Sequence, residues 1–186
     1  MKKVIYILPP LVIVILVLVW LQRPHNGELN QTTSPEPANT SPWVWENPYT
    51  GRKVTIPAEW RKAEGKQIQD TLLALTHATG KSVVYIIYEE SADQMSLQEF
   101  VDVMNKANQM ELGTGDFESR TDEDGQDYYY SGGAKYLGDN LVNTSVRIWS
   151  DQPDHFWRTV SMTNSEYREL GFDAEQVLNL LIQSTK

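Results

Sequence analysis

The chain has 186 residues, no cysteine and a formal net charge of −9. The missing cysteine excludes a disulfide scaffold, a lipid-modified cysteine and a thiolate metal site. The acidic balance argues against nucleic acid, whose phosphates such a domain repels. Lys2, Lys3 and Arg23 against Glu28 and Glu36 put the first 42 residues at +1, so the remainder carries −10.

In chain order, residues 1–21 read as a transmembrane signal anchor. Lys2 and Lys3 precede an uncharged run over residues 4–21, and 18 residues of helix span about 27 Å, enough to cross a bilayer core. A cleavable signal peptide is the rival reading. The run is long for one, no small-x-small cleavage site follows, and Trp20 and Arg23 sit where interfacial anchors belong. Pro9-Pro10 can kink or shorten this helix. The flanking lysines predict a cytoplasmic N-terminus, which in a bacterium places the rest of the chain in the periplasm, held at the inner membrane. Residues 22–42 are polar with four prolines and read as a flexible tether, with a root-mean-square span of roughly 25 Å.

Residues 43–186 are expected to form one soluble domain. Trp43 to Asn47 and Arg52 to Ile56 predict a hairpin turned by Pro48 and Gly51, with Trp60 packing beside it. Thr71 to His77 predicts a strand. Ser82 to Tyr88, SVVYIIY, is apolar at every second position on both faces and predicts a central strand covered on both sides. The period then changes. Leu97, Phe100, Val101, Met104 and Ala107 make one apolar helical face, and Ser96 with Glu99 forms a capping-box pattern. Strands follow over about 115–121, 127–136, 141–150 and 155–162. A short helix from Asn164 is expected to stop at Gly171. A last helix is expected to be capped by Asp173 and Gln176, to be stapled by Phe172 and to bury Val177, Leu178, Leu181 and Ile182. The order predicts an α+β sandwich, a mostly antiparallel sheet flanked by helices, with both helices on one face and the opening hairpin or the tether on the other.

The entry segment WENPYTGRKVTIPAEW, with Ile56, Pro57 and Trp60 closing it, resembles the start of the PsbP-like superfamily. That superfamily includes the photosystem subunit PsbP, bacterial DcrB-like proteins and a Ran-binding nuclear-transport factor. The helix beginning MSLQEF and the terminal helix after a strand meander fit the same order over residues 43–186. The resemblance implies the fold and a non-enzymatic binding or adaptor role. It carries over no site residues.

Candidate sites are few. Asp122, Glu123, Asp124 and Asp127 could hold a hard cation, but keeping Gly125 as the sixth residue of an EF-hand loop puts Arg120 first and Ser131 last. Asp124-Gly125 between two strands is a hairpin turn signal instead. Tyr129 lies on the opposite strand face from Tyr128 and Tyr130, and the following Gly132-Gly133 signals a bulge or a close backbone approach. Asp151, Asp154 and His155 sit in a turn without metal-site spacing. No nucleophile motif accompanies His77 or His155. We therefore expect no catalytic residue, no cofactor and no metal. Tyr49, Tyr129, Trp149 and Trp157 are the candidate contacts with a partner, another envelope protein. Two further readings stay open: a periplasmic immunity protein steered by charge to a secreted basic toxin, and an envelope hydrolase built around His77 or His155.

Overall fold

The computed structural model describes residues 41–63, 70–91 and 95–186. The expected anchor and the tether up to residue 40 lie outside the described residues, among which no helix is long and apolar enough to cross a membrane. Strands β1 (Trp43–Glu46) and β2 (Lys53–Ile56) form a two-stranded sheet. The main sheet contains β3 (Trp60–Lys62), β4 (Thr71–His77), β5 (Ser82–Glu90), β6 (Glu118–Thr121), β7 (Asp127–Leu137), β8 (Asn140–Gln152) and β9 (His155–Asn164). Its spatial order is β3-β4-β5-β9-β8-β7-β6, antiparallel throughout. Helices α1 (Leu97–Leu112) and α2 (Arg168–Gln183) flank it. This is the expected α+β sandwich.

Strand β5 sits inside the sheet and feeds both cores, because successive side chains point to opposite faces. Val83, Tyr85 and Ile87 join the core under α1, with Phe100, Val101 and Met104. Val84, Ile86 and Tyr88 join the core under α2, with Val177, Leu178 and Leu181. The two helices therefore cover opposite faces, which corrects the expectation that they share one. The β1–β2 hairpin packs on the α2 side, where Trp45 and Ile56 are buried.

The hairpin turn forms as its residues predict. Gly51 takes φ 70°, and its N–H donates to the Asn47 carbonyl at 2.8 Å. Trp60 packs beside the hairpin as expected, in the same buried core as Trp45 and Ile56, and it also begins β3, a short strand that the sequence does not predict. It pairs with His77 and is buried, while Trp43 Nε1 donates to its carbonyl at 2.9 Å. Helix α1 carries the full capping box: Ser96 accepts from the Glu99 N–H, and Glu99 accepts from the Ser96 N–H. Gly113 ends it in the left-handed conformation.

The C-terminal region departs from its sequence signals. One helix runs unbroken through Gly171, with no break at Gly171 and no cap at Asp173, and Phe172 is 67% exposed rather than stapled. Leu170, Ala174, Val177, Leu178 and Leu181 are all buried on one stripe. Burying Leu170 on that stripe is worth about 2 kcal/mol, against about 1 kcal/mol for a helical glycine. The stripe outweighs the local cap.

Candidate interaction sites

The four aromatics singled out in the sequence separate into two places. Trp149 and Trp157 are paired in register on β8 and β9, with near-parallel rings 6.4 Å apart. They are 2% and 1% exposed, so they are core anchors and form no exposed patch. Tyr129 lies on the α1 face, half-buried, and its hydroxyl donates to Gln98 at 2.6 Å. It is engaged within the fold. Tyr49 alone among the four is well exposed, at 54%.

Tyr49 is nevertheless held. Its backbone N–H donates to the Asn47 side chain at 2.9 Å, and its ring centroid lies 3.9 Å from Tyr88 and 6.0 Å, edge-on, from Trp157. The hairpin that carries it is tied to the end of α2, since Thr50 and Asn47 both donate to the Ser184 carbonyl. Tyr88 hydrogen-bonds His155 Nδ1. Burial, then the negative charges of Glu90 and Asp151, raise the Tyr88 pKa above the ordinary phenol value. Neither Glu90 nor Asp151 pairs with a lysine or arginine among the described residues. Four other rings, Trp43, Tyr128, Tyr130 and Tyr167, each sit under a cation of the chain itself. The Tyr49–Tyr88 pair, with its rings tilted at 39°, has acids beside it and no such cation among the described residues.

On the same face, at the other edge of the sheet, lies an open groove of about 910 Å³. Helix α2 lies over β5 and β9 and reaches β8 through Glu175 and Asn179, and the groove opens beyond it toward β7 and β6. The floor is small because three strands place small residues in one register row, Gly132 beside Ser145 beside Ser161. One wall is Tyr130, whose ring is folded over Gly132. A Cβ there would stand 2.8 Å from the tyrosine oxygen. The Arg120 guanidinium covers that ring at 3.9 Å and is fixed by Glu118 at 3.0 Å, a hydrogen bond that raises its pKa further. Tyr167, Arg168, Gly171 and Glu175 supply the opposite wall. Sequence reasoning missed this site. Its one trace there is the alternation of Ser145 and Arg147 with Val146 and Ile148.

Gly132-Gly133 marks a close approach rather than a bulge, because the β7–β8 register runs through both without a shift. A Cβ on Gly133 would meet the Gly113 carbonyl oxygen at 2.2 Å. In the acidic turn the ammonium group of Lys186 lies 2.7 Å from Asp122 and 2.5 Å from Asp124. The chain's own C-terminal lysine thus occupies the place a cation would take. Asp122 also accepts from the N–H groups of Asp124 and Gln126. His77 packs edge-on against Trp60 and accepts from the Thr79 N–H, and neither it nor His155 lines the groove.

No family model matches the chain, and no curated protein matches it. Among solved structures it resembles cyanobacterial PsbP (CyanoP) from Synechocystis, with a TM-score of 0.56 and 15% identity over 83% of this chain and 96% of that one. It also resembles the Ran-binding protein Mog1p from Saccharomyces cerevisiae, with a TM-score of 0.49 and 13% identity over 78% of this chain and 93% of that one. The first likeness establishes a PsbP-like fold.

Proposed function

We propose that this chain is a binding or adaptor module of the bacterial envelope. Residues 4–21 anchor it in the inner membrane with the N-terminus in the cytoplasm, and residues 43–186 work in the periplasm. The Tyr49 end receives another envelope protein, one that presents lysine or arginine. The observation that carries this reading is the exposed Tyr49 ring, held on Tyr88 beside Glu90 and Asp151 with no cation over it among the described residues. A basic side chain laid on that ring gains cation–π attraction and two carboxylate neighbours. The PsbP-like fold and the Ran-binding description of Mog1p agree with a binding role. No nucleophile, base and orienting acid are brought together at either histidine among the described residues, so the hydrolase reading gains no support.

The experiment is photo-crosslinking in cells from residue 49, with Glu118 on the opposite sheet edge as the control position. A discrete adduct from residue 49 that weakens in Glu90→Gln/Asp151→Asn cells is expected. Equal adducts from both positions, or none from residue 49, would sink the proposal. A periplasm-dependent reporter fused after Lys186 tests the topology, and activity only of a cytoplasmic reporter would reverse it.

A further inference from the structure

We infer that the groove between α2 and strands β6–β8 is a binding site for a neutral oligosaccharide. It is separate from the Tyr49 end.

The lining decides the ligand class. Among the described residues it contains no valine, leucine, isoleucine, methionine or phenylalanine. A groove for a peptide or an acyl chain draws its affinity from apolar pockets that take side chains or tails, and this one has none. Its volume lies within the roughly 300–1,000 Å³ of ligand sites. What it offers instead is hydrogen-bonding groups beside flat, partly apolar surfaces.

The charges cancel. Glu118 is paired with Arg120, and Glu175 with Arg147. Asp116 and Arg168 remain, one of each sign. Asp116 accepts from Asn105 and Gln109, while Arg168 has no ion pair among the described residues. With Glu175 offset by Arg147, which stands outside the lining, the groove has no excess of either sign and selects neither polyanions nor polycations.

The hydroxyls have a fixed sense. Ser145 Oγ donates its one proton to Glu175 at 3.1 Å. The 2.8 Å contact between Ser145 and Ser161 must then be donated by Ser161. Ser161 is left with its lone pairs as acceptors for a ligand O–H. Across the groove Arg168 offers donors, and the exposed Asn143 amide offers both a donor and an acceptor. A sugar ring supplies the complement, with hydroxyls that donate and accept and C–H faces that lie flat on the Arg120–Tyr130 stack or on Tyr167. The site is built in advance, because the Arg147–Glu175 pair and the Glu118–Arg120–Tyr130 stack hold their groups without a ligand.

The test uses the full chain in nanodiscs, titrated with cellotetraose, maltotetraose and chitotetraose while backbone amide NMR signals are followed. Saturable shifts at Gly132, Ser145, Ser161 and Gly171 are expected with at least one of the three. Ser161→Ala should weaken binding about five- to tenfold by removing one acceptor. Gly171→Trp, placed where a Cβ meets nothing within 4 Å, should abolish binding without unfolding the chain. Tyr49→Ala should leave binding unchanged while removing the residue 49 protein contact, so the two readings fail separately. The inference is overturned if none of the tetrasaccharides shifts these signals, if Gly171→Trp leaves the shifts intact, or if a Gly-Ser hexapeptide produces them in place of the sugars.

Discussion

Gly133→Ala should be among the most damaging single-methyl additions available to this fold. The new Cβ would stand 2.2 Å from the Gly113 carbonyl oxygen and 2.7 Å from Thr114 Cα. Ordinary contacts of this kind need roughly 3.5 Å, so backbone must move by about 1 Å. That backbone is pinned. The Gly115 N–H donates to Gly132 at 3.1 Å, Ser131 Oγ donates to Gly115 at 2.6 Å, and Lys135 Nζ donates to the carbonyls of Met110 and Glu111. Strain of this kind plus one or two weakened hydrogen bonds costs ~2–4 kcal/mol. Removing a glycine from the unfolded chain returns at most ~1 kcal/mol, so destabilisation wins. Gly132→Ala is the internal control. Its Cβ meets only the outer end of the Tyr130 ring, which can swing away, and a cost of ~1 kcal/mol or less is expected. Urea denaturation followed by tryptophan fluorescence reads both variants, and Gly133→Ala should lower the midpoint by roughly 1–2 M. If Gly132→Ala costs as much as Gly133→Ala, or Gly133→Ala stays within ~0.5 kcal/mol of the parent, the close-approach account is wrong.

Gly171→Ala should stabilise the chain by ~0.5–1 kcal/mol in the same assay, since a helical glycine is replaced where no atom opposes the methyl group. Lys186→Ala should destabilise the chain at neutral pH by an amount that disappears in acid. The hydrogen bond from Lys186, then that from Gln126, depresses the Asp122 pKa in the folded state. Such a group stabilises above its unfolded value of ~3.9 and loses that contribution as pH falls through the lower folded value. Urea midpoints of both proteins should therefore converge at acid pH, and a constant gap would show that the latch does not depend on this carboxylate. Tyr85→Phe tests the alkaline limb. Burial pushes the Tyr85 phenol to about 12, so above an unfolded value of ~10 the unfolded chain ionises first and stability falls. The Phe variant should hold its melting temperature better than the parent between those two values, and identical alkaline losses would refute this.

Local signals were legible wherever short-range physics and packing agreed. Ser96 and Glu99 announced the start of α1, Pro48 and Gly51 the first hairpin, and SVVYIIY a strand with two buried faces. The misses occurred where distant partners decided. Phe172, Asp173 and Gln176 carry correct cap grammar, yet Leu170 continues the α2 stripe across Gly171 and overrides it. Trp149 and Trp157 alternate with polar neighbours in a way that leaves their face ambiguous until β5 and α2 are placed. The groove was least legible of all. Gly132, Ser145 and Ser161 come from three strands and become neighbours only through register, and the carboxylate that orders them comes from the last helix.

The two faces of β8 explain why the groove reads as a site rather than as a gap in packing. Toward α1 the strand presents Val142, Val146 and Ile148, all buried. Toward α2 it presents Asn143, Ser145 and Arg147, ending on Trp149 where the aromatic core resumes. Helix α2 buries the apolar residues of β4 and β5, Leu73, Leu75, Val84 and Ile86, and its cover stops where the face turns polar. A sheet selected for stability alone would continue the apolar row, since each Ser replaced by a covered Val is worth on the order of 1–2 kcal/mol. The chain carries instead an ordered relay from Ser161 through Ser145 to Glu175, locked by Arg147. The fixed polarity of the hydroxyl floor, nearly buried at the base of the groove, is the property a hydrogen-bonding ligand would read.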